Sequence, residues 1–536
     1  MNFIQRYWLL VLLALPFFVA LDDSSVWDSN EAFYAQTPRE MLQRGDWLVP
    51  YFNGQPRLHK PPLSYWVVAP FYRLFSASIF WERLVMALLA YGCVLAVFAN
   101  GRILYNHKVA LLAAGIFATS FRFLILARRL LIDTLLLFCL LWAIAYFLWW
   151  MKSQRKIHFL LSAVFFGLAF MSKGPVAFLP ILFLALYLFL TGRLGQLERA
   201  PWAKGGAIYL FLCSFWFLLL GLQLGWEPIV GFFLEENISR FTSLEMGPRR
   251  GLFYYVGVFL GDFFPWSFFF LGAVVGSLGW KKSRPEHAML LGLWIASYFI
   301  FFSLSYNKQE YYILPLYPAA ALWIANYFYQ KLPPKLLAAS VGAVLLVLGG
   351  ALLVMVEVLF GKALMWIPLL FFPVFMVGLL KGHHSIAIAG LALFYASSFY
   401  LYLEPWEKYK PVHHLARTIS ERISETGPGI EVEVGYYKFA APSLAFYLNR
   451  PIVELSDPKK AADLLESDRA VYLIVSSDGY DELVRASRRP LQIVEARPKL
   501  YTTGRDLIEG FRRDSSDNLQ KNWTHPVYLI TNGQGG

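Results

Sequence analysis

The sequence has little charge and little cysteine. Charged residues make up 16% of its 536 positions, against roughly a quarter in a soluble domain, so a water-soluble globule is excluded. The three cysteines, Cys93, Cys139 and Cys213, all stand in apolar runs without a CxxC spacing. A disulfide framework or a cysteine-based metal knuckle is thereby excluded. A Walker motif, a Rossmann glycine fingerprint, an internal repeat and a low-complexity tract are all missing, which argues against an ATP-driven pump. The formal charge of +12 does not indicate nucleic acid. The basic residues cluster in short loops between apolar runs, where they report membrane topology.

What is present is hydrophobic (57%) and aromatic (18%). Runs long enough to cross a bilayer fall at 7–21, 79–100, 109–126, 130–151, 157–172, 175–191, 205–224, 252–279, 288–304, 311–329, 336–359, 363–380 and 386–403. The expected fold class is therefore mainly α, a polytopic membrane protein of about thirteen transmembrane helices. The first run has a single Arg6 ahead of it and no small-residue cleavage site, so it reads as a retained span. Basic loops such as Lys152-Arg155-Lys156, Arg193-Arg199-Lys204 and Lys281-Lys282-Arg284 follow alternate spans. The positive-inside rule puts them, and the N-terminus, on the cytoplasmic side of the membrane. The segments 22–78, 172–174, 225–251, 305–310 and everything after 404 then lie on the outer, periplasmic side. Residues 404–536 alternate β-rich runs with helical patterns and predict a periplasmic α/β domain, behind a transmembrane domain of residues 1–403.

The densest polar stretch is 27–66. Asp28 and Glu31 have a capping-box spacing, which predicts a helix starting there and ending at Gly45. Two alternatives stay open: the acids only cap that helix, or they face a reaction centre. His59-Lys60 precedes Pro61-Pro62, whose fixed backbone sets where the lysine points. On the same side fall Tyr34, then Arg128, Arg129 and Asp133 at the end of a span, where Asp133 pairs with Arg129 or serves a site. Lys173 sits in the tight Ser172–Pro175 turn. Glu235-Glu236 and Arg240 follow, then Arg249-Arg250. Lys308 and Tyr312 stand one helical turn apart. Lys60, Arg240, Arg249 or Arg250, and Lys308 suit a phosphate group, for which Lys and Arg offer charge-assisted hydrogen bonds. Neighbouring acids suit deprotonation of a hydroxyl. Without a nucleotide fold, a lipid-linked phosphate donor is implied.

These pieces resemble the GT-C class of membrane glycosyltransferases that use polyprenyl-phosphate sugars. The similarity is to the bacterial branch of lipid A aminoarabinose transferases and protein O-mannosyltransferase-like enzymes. It rests on Glu31-x-x-Tyr34-Ala35, Pro38-Arg39-Glu40-Met41, Gly45-Asp46-Trp47, Lys60-Pro61-Pro62-Leu63-x-Tyr65-Trp66, Asp133, Lys173-Gly174-Pro175, Arg240-Phe241 and Lys308-x-x-x-Tyr312-Ile313-Leu314-Pro315. The resemblance implies a first outer loop, 22–78, with helices lying on the membrane, and sugar transfer from a polyprenyl phosphate to a glycolipid, polysaccharide or protein. It implies donor-phosphate ligands at Lys60, Arg240 and Tyr312, to which the reading of the charges adds Arg250 and Lys308. Asp28, Glu31 and Asp133 become the catalytic candidates, with Tyr34, His59, Arg129, Lys173 and Glu236 around the cavity. Asn30, Phe33, His59 and Asn237 replace residues common in the class, so the base alternates between Asp28 and Glu31. No cofactor is fixed, and a divalent metal ion is left open. The competing classes are a flippase of lipid-linked sugars and a non-catalytic lipid-binding protein.

Overall fold

The structure is a computed structural model that describes residues 3–28, 30–243, 250–278, 285–330, 341–344, 346–347, 349–350, 363–426, 430–500 and 524–534. Arg249 and most of the expected span 336–359 lie outside those residues. Six described helices are long and apolar enough to cross a membrane: Ile79–Leu104, Ile132–Ser153, Lys156–Lys173, Trp202–Leu224, Glu286–Leu304 and His384–Tyr409. Tyr254–Asp262 and Ser267–Gly276 make a further crossing when taken as one span bent by 106°. Shorter apolar helices occupy Tyr7–Phe18, His107–Ala118, Pro175–Leu190 and Trp366–Leu380.

Two expected spans are interrupted, each for a local reason. The run 109–126 breaks at Thr119 and Ser120, whose hydroxyls turn back onto the carbonyls of Gly115 and Phe117. Such side-chain bonds compete with the helical ladder. The run from 311 begins as a 3-10 turn, Glu310–Leu316, and becomes an α-helix only at Tyr317–Gln330. Pro315 lacks the amide that would extend the ladder upstream.

The first outer loop is held by its own polar groups. The helix Glu31–Arg44 ends at Gly45 in the left-handed conformation. Asp46 Oδ1 then accepts from the amides of Leu48 and Val49. Two short strands follow, β1 (Tyr51–Phe52) and β2 (Gln55–Pro56). They are joined by Asn53-Gly54, both with positive φ, the pair favoured in a two-residue hairpin. Glu40 caps that turn by accepting from the Asn53 and Gly54 amides at 2.8 and 3.0 Å. The hairpin delivers the chain to His59-Lys60 and the helix Leu63–Phe75.

Residues beyond the last crossing form a five-stranded sheet, ordered β4-β3-β5-β7-β6. The strands are β3 (Val432–Tyr437), β4 (Val453–Leu455), β5 (Ala470–Ser476), β6 (Gln492–Leu500) and β7 (Thr524–Thr531). β3 is parallel to β4 and β5, while β7 runs antiparallel to β5 and β6. The central strand β5 is buried from Ala470 to Val475 because both its faces are covered. Tyr472 and Ile474 join a core with Leu415 and Ile419, and Val471, Leu473 and Val475 join one with Leu465 and Leu483.

This sheet unit grips the first loop. Tyr447 accepts from the Val26 amide at 2.7 Å, and Arg39 donates to the Phe446 carbonyl. Asn53 and Ile452 exchange two bonds of 2.7 and 2.8 Å. Lys410 Nζ reaches the Ser25 carbonyl and the Ser24 hydroxyl.

Candidate active site

A cavity of about 470 Å³ opens between the first loop, the Ser172–Pro175 turn and the segments around 236 and 305. Lys60, Lys173, Glu236, Arg240 and Tyr312 supply its polar lining, and Phe178, Leu182, Phe301 and Phe302 much of its apolar wall. Gly174 makes the closeness possible. It holds φ +78°, and a Cβ there would meet the Phe232 ring at 3.0 Å.

Glu236 is the electrostatic centre. It lies on a π-helical turn, Leu234–Ser239, a geometry that recurs at functional sites. Its carboxylate accepts from His59 Nδ1 at 2.7 Å and from Lys60 Nζ at 3.3 Å, and it pairs with Arg240 Nε at 3.1 Å. Burial alone would raise its pKa, but the His59 bond and the Lys60 and Arg240 charges bring it down to about 2. Burial pushes Lys60 down to about 8, with Glu236 pulling the other way and Arg240 and Lys173 adding repulsion.

Beside this cluster, Lys173 Nζ meets Asp133 Oδ1 at 2.5 Å and lies 4.7 Å from the Tyr312 ring centroid. Asp133 therefore pairs with Lys173, and the helical pair with Arg129 does not form. The chain between the helices Phe121–Leu126 and Ile132–Ser153 is a turn. It swings the Arg129 guanidinium to 3.9 Å over the Trp27 ring, away from the cavity.

The two acids of the first loop are placed differently from the sequence expectation. The helix begins at Glu31, and its N-cap Asn30 makes no side-chain cap bond. Glu31 is 1% exposed. It accepts from the amides of Trp27 (2.7 Å) and Leu130 (3.1 Å) and binds Arg83 through both oxygens at 3.3 and 3.4 Å. Burial would raise its pKa, but Arg83 and those amides lower it. With its lone pairs already used, Glu31 acts as a structural anchor. Asp28 Oδ1 accepts from the Ser443 amide at 3.1 Å, so it faces the sheet unit. Burial lifts its pKa to about 6, against the Ser443 bonds and the charges of Lys410 and Lys499. Neither acid lines the cavity.

Lys308 and Arg250 also depart from expectation. Lys308 is buried with its ammonium on the Ser305 carbonyl. It precedes the 3-10 turn, so it does not share a helical face with Tyr312, and Ser305 and Asn307 line the cavity in its place. Arg250 pairs with Glu310 at 2.8 Å and donates to the Lys308 carbonyl. Tyr34 stacks on Tyr65, with ring centroids 5.8 Å apart, and does not line the cavity.

The Arg83–Glu31 and Arg122–Asp262 pairs escaped the sequence reading. Arg122 holds Asp262 through bonds of 2.7 and 2.8 Å, at the bend of the broken crossing. The lone aspartate inside the run 252–279 was the available signal. Among the described residues, no group of three or more His, Cys, Asp or Glu side chains stands close enough to hold a metal ion.

Comparison with known proteins places this geometry in context. Residues 59–218 match the family described as dolichyl-phosphate-mannose-protein mannosyltransferase. An uncharacterized protein of Aquifex aeolicus (strain VF5) is 31% identical over 86% of this chain and 91% of its own length. The undecaprenyl phosphate-alpha-4-amino-4-deoxy-L-arabinose arabinosyl transferase of Photorhabdus laumondii is 27% identical over 59% of this chain. The chain spans 58% of that relative's length. The crystal structure of ArnT from Cupriavidus metallidurans bound to undecaprenyl phosphate superposes with a TM-score of 0.75 at 19% identity, covering all of both chains. That likeness establishes the fold.

Proposed function

Because the chain belongs to the GT-C family of polyprenyl-phosphate-sugar glycosyltransferases, within its ArnT branch, we propose that it moves a sugar from a polyprenyl phosphate to an acceptor hydroxyl or phosphate. The observation that carries this reading is the cavity where Lys60, Lys173 and Arg240 meet an aromatic and aliphatic wall. Cations suit the phosphate, and the wall suits the first isoprene units. Lys60 and Arg240 bind the phosphate in competition with the Glu236 carboxylate. As the anomeric carbon–oxygen bond breaks, they stabilise the charge that develops on the leaving phosphate. Tyr312 and Lys173 complete the lining, with Asp133 holding the lysine.

The reaction takes place on the periplasmic face of a bacterial inner membrane. About thirteen crossings in residues 1–403 carry the site, with the N-terminus in the cytoplasm and the sheet unit of residues 404–536 in the periplasm. Concentration of the isolated cations on one side, with the basic loops on the other, supports this orientation. The acceptor is an envelope glycolipid such as lipid A. A protein acceptor is the second reading, favoured by the mannosyltransferase family match over residues 59–218.

The test is release of polyprenyl phosphate. Protein in lipid nanodiscs, given an undecaprenyl-phosphate sugar and envelope lipids, should liberate undecaprenyl phosphate and add the sugar mass to an acceptor. A flippase or a passive lipid-binding protein would liberate none.

A further inference from the structure

If the chain is a transferase of this kind and the accepting group is a hydroxyl, that hydroxyl must lose its proton, and the first-loop acids are poorly placed to take it. Glu31 is closed by Arg83 and two backbone amides. Asp28 faces Ser443, and Asp133 is neutralised by Lys173 at 2.5 Å.

His59 does not itself line the cavity, but it bonds to Glu236 and directly precedes Lys60, both of which do. His59 Nδ1 lies 2.7 Å from Glu236 Oε1. A carboxylate only accepts hydrogen bonds, so Nδ1 carries the proton and the lone pair of a neutral imidazole sits on Nε2. Lys60 and Arg240 hold the same carboxylate, so Glu236 stays ionised and orients the ring. A base oriented by an acid is the recurring arrangement of proton-transfer sites. The His59 side chain is 53% exposed, which leaves it open to an acceptor arriving from outside the cavity. It directly precedes Lys60, so the base and the phosphate ligand ride on one stiff segment ahead of Pro61-Pro62.

We propose that His59 is the catalytic base of the transfer and that Glu236 is its positioning residue. Nε2 takes the proton as the acceptor O–H bond breaks, and the freed oxygen forms a bond to the anomeric carbon. The bond from that carbon to the phosphate oxygen breaks, and its electron pair leaves with the lipid phosphate beside Lys60 and Arg240. The imidazolium, paired with Glu236, later gives its proton to water.

The experiment uses the full chain in nanodiscs, with undecaprenyl phosphate as binding probe and an undecaprenyl-phosphate sugar plus envelope lipids for turnover. His59→Gln should lower kcat by about 10²–10⁴-fold. It should also remove the acid limb of the pH–rate profile. Undecaprenyl phosphate affinity should stay within about threefold of the parent, which shows that the variant is folded. Glu236→Gln should lower kcat and shift that acid limb, because the imidazolium loses its counter-charge. An active parent whose His59→Gln variant keeps both rate and acid limb overturns the assignment alone, as does loss of the limb in Asp133→Asn instead. A parent that binds undecaprenyl phosphate but releases none from the donor overturns the transferase reading, and this assignment falls with it.

Discussion

Two carboxylates in this protein are each held by cations, and burial separates their roles. Glu31 and Arg83 form a closed pair, 1% and 3% exposed at their side chains. Arg83 also ties down the carbonyls of Leu21, Ser24 and Ser25. Glu236 meets Lys60 and Arg240, whose side chains are 15% and 37% exposed, on the wall of a cavity. The first cluster has spent its hydrogen-bonding capacity on the backbone and fixes where the outer loop begins. The second keeps cationic donors facing open volume. Similar residue types build a foundation in one place and a receptor in the other, and access to solvent makes the difference.

The largest expected effect tests the closed cluster. Arg83→Met leaves Glu31 charged and buried without its partner, which costs about 3–5 kcal/mol. The thermal unfolding midpoint of detergent-solubilised protein should fall sharply, and an unchanged midpoint would show that Glu31 is not a foundation. Next comes the open cluster. Lys60→Ala should reduce turnover by about 10²–10³-fold, by analogy with a lost oxyanion donor, and weaken undecaprenyl phosphate binding without lowering the melting point. Binding by the parent should also weaken as pH rises through about 8, where Lys60 loses its charge, and a flat titration there would separate Lys60 from the phosphate.

Asp28 gives a smaller, pH-dependent effect at the seam with the sheet unit. Its folded pKa of about 6 lies above the ordinary 3.8, so the folded state binds protons more tightly than the unfolded one. Its stabilising increment is complete below the ordinary value, declines with rising pH, and is gone above about 6. The thermal unfolding midpoint of the parent should fall as pH rises across that window, and Asp28→Asn should flatten the trend. The smallest effect belongs to Arg250. Its pair with Glu310 is partly exposed, and such pairs are worth about 0–1 kcal/mol. Arg250→Ala should leave donor binding nearly unchanged, and a large loss would return Arg250 to the phosphate site.

The legible part of the site consisted of lone charges in apolar surroundings. Lys60, Lys173, Glu236 and Arg240 stood out because each interrupts a hydrophobic or turn segment, and all four line the cavity. Where a side chain points was harder to read. Lys308 was matched to Tyr312 by helical spacing, but the chain there is a 3-10 turn that begins after the lysine. The Asp28–Ser443 bond joins positions 415 residues apart, and local spacing carries no trace of such a partner. The same local rule offers Asp133 to Arg129 as one of two readings, while the turn at 127–131 gives Arg129 the Trp27 ring. The strand Ala470–Ser476 is visible as an apolar run through Val475 because both its faces are covered, whereas β6 is at most half-buried up to Leu500 and β7 begins with half-buried and exposed residues.

The π-helical turn at Leu234–Ser239 holds one residue more than an α-helical turn would close over. Glu236 and Arg240 straddle its end, so the surplus residue sets the angle at which they approach each other. Deleting a single residue from 237–239 would shorten the loop only slightly, but it would rotate everything downstream by about a quarter-turn or more. The arginine would swing away from the carboxylate while every other side chain of the cluster remained in the sequence, so the site's competence depends on a loop-length count as much as on residue identity.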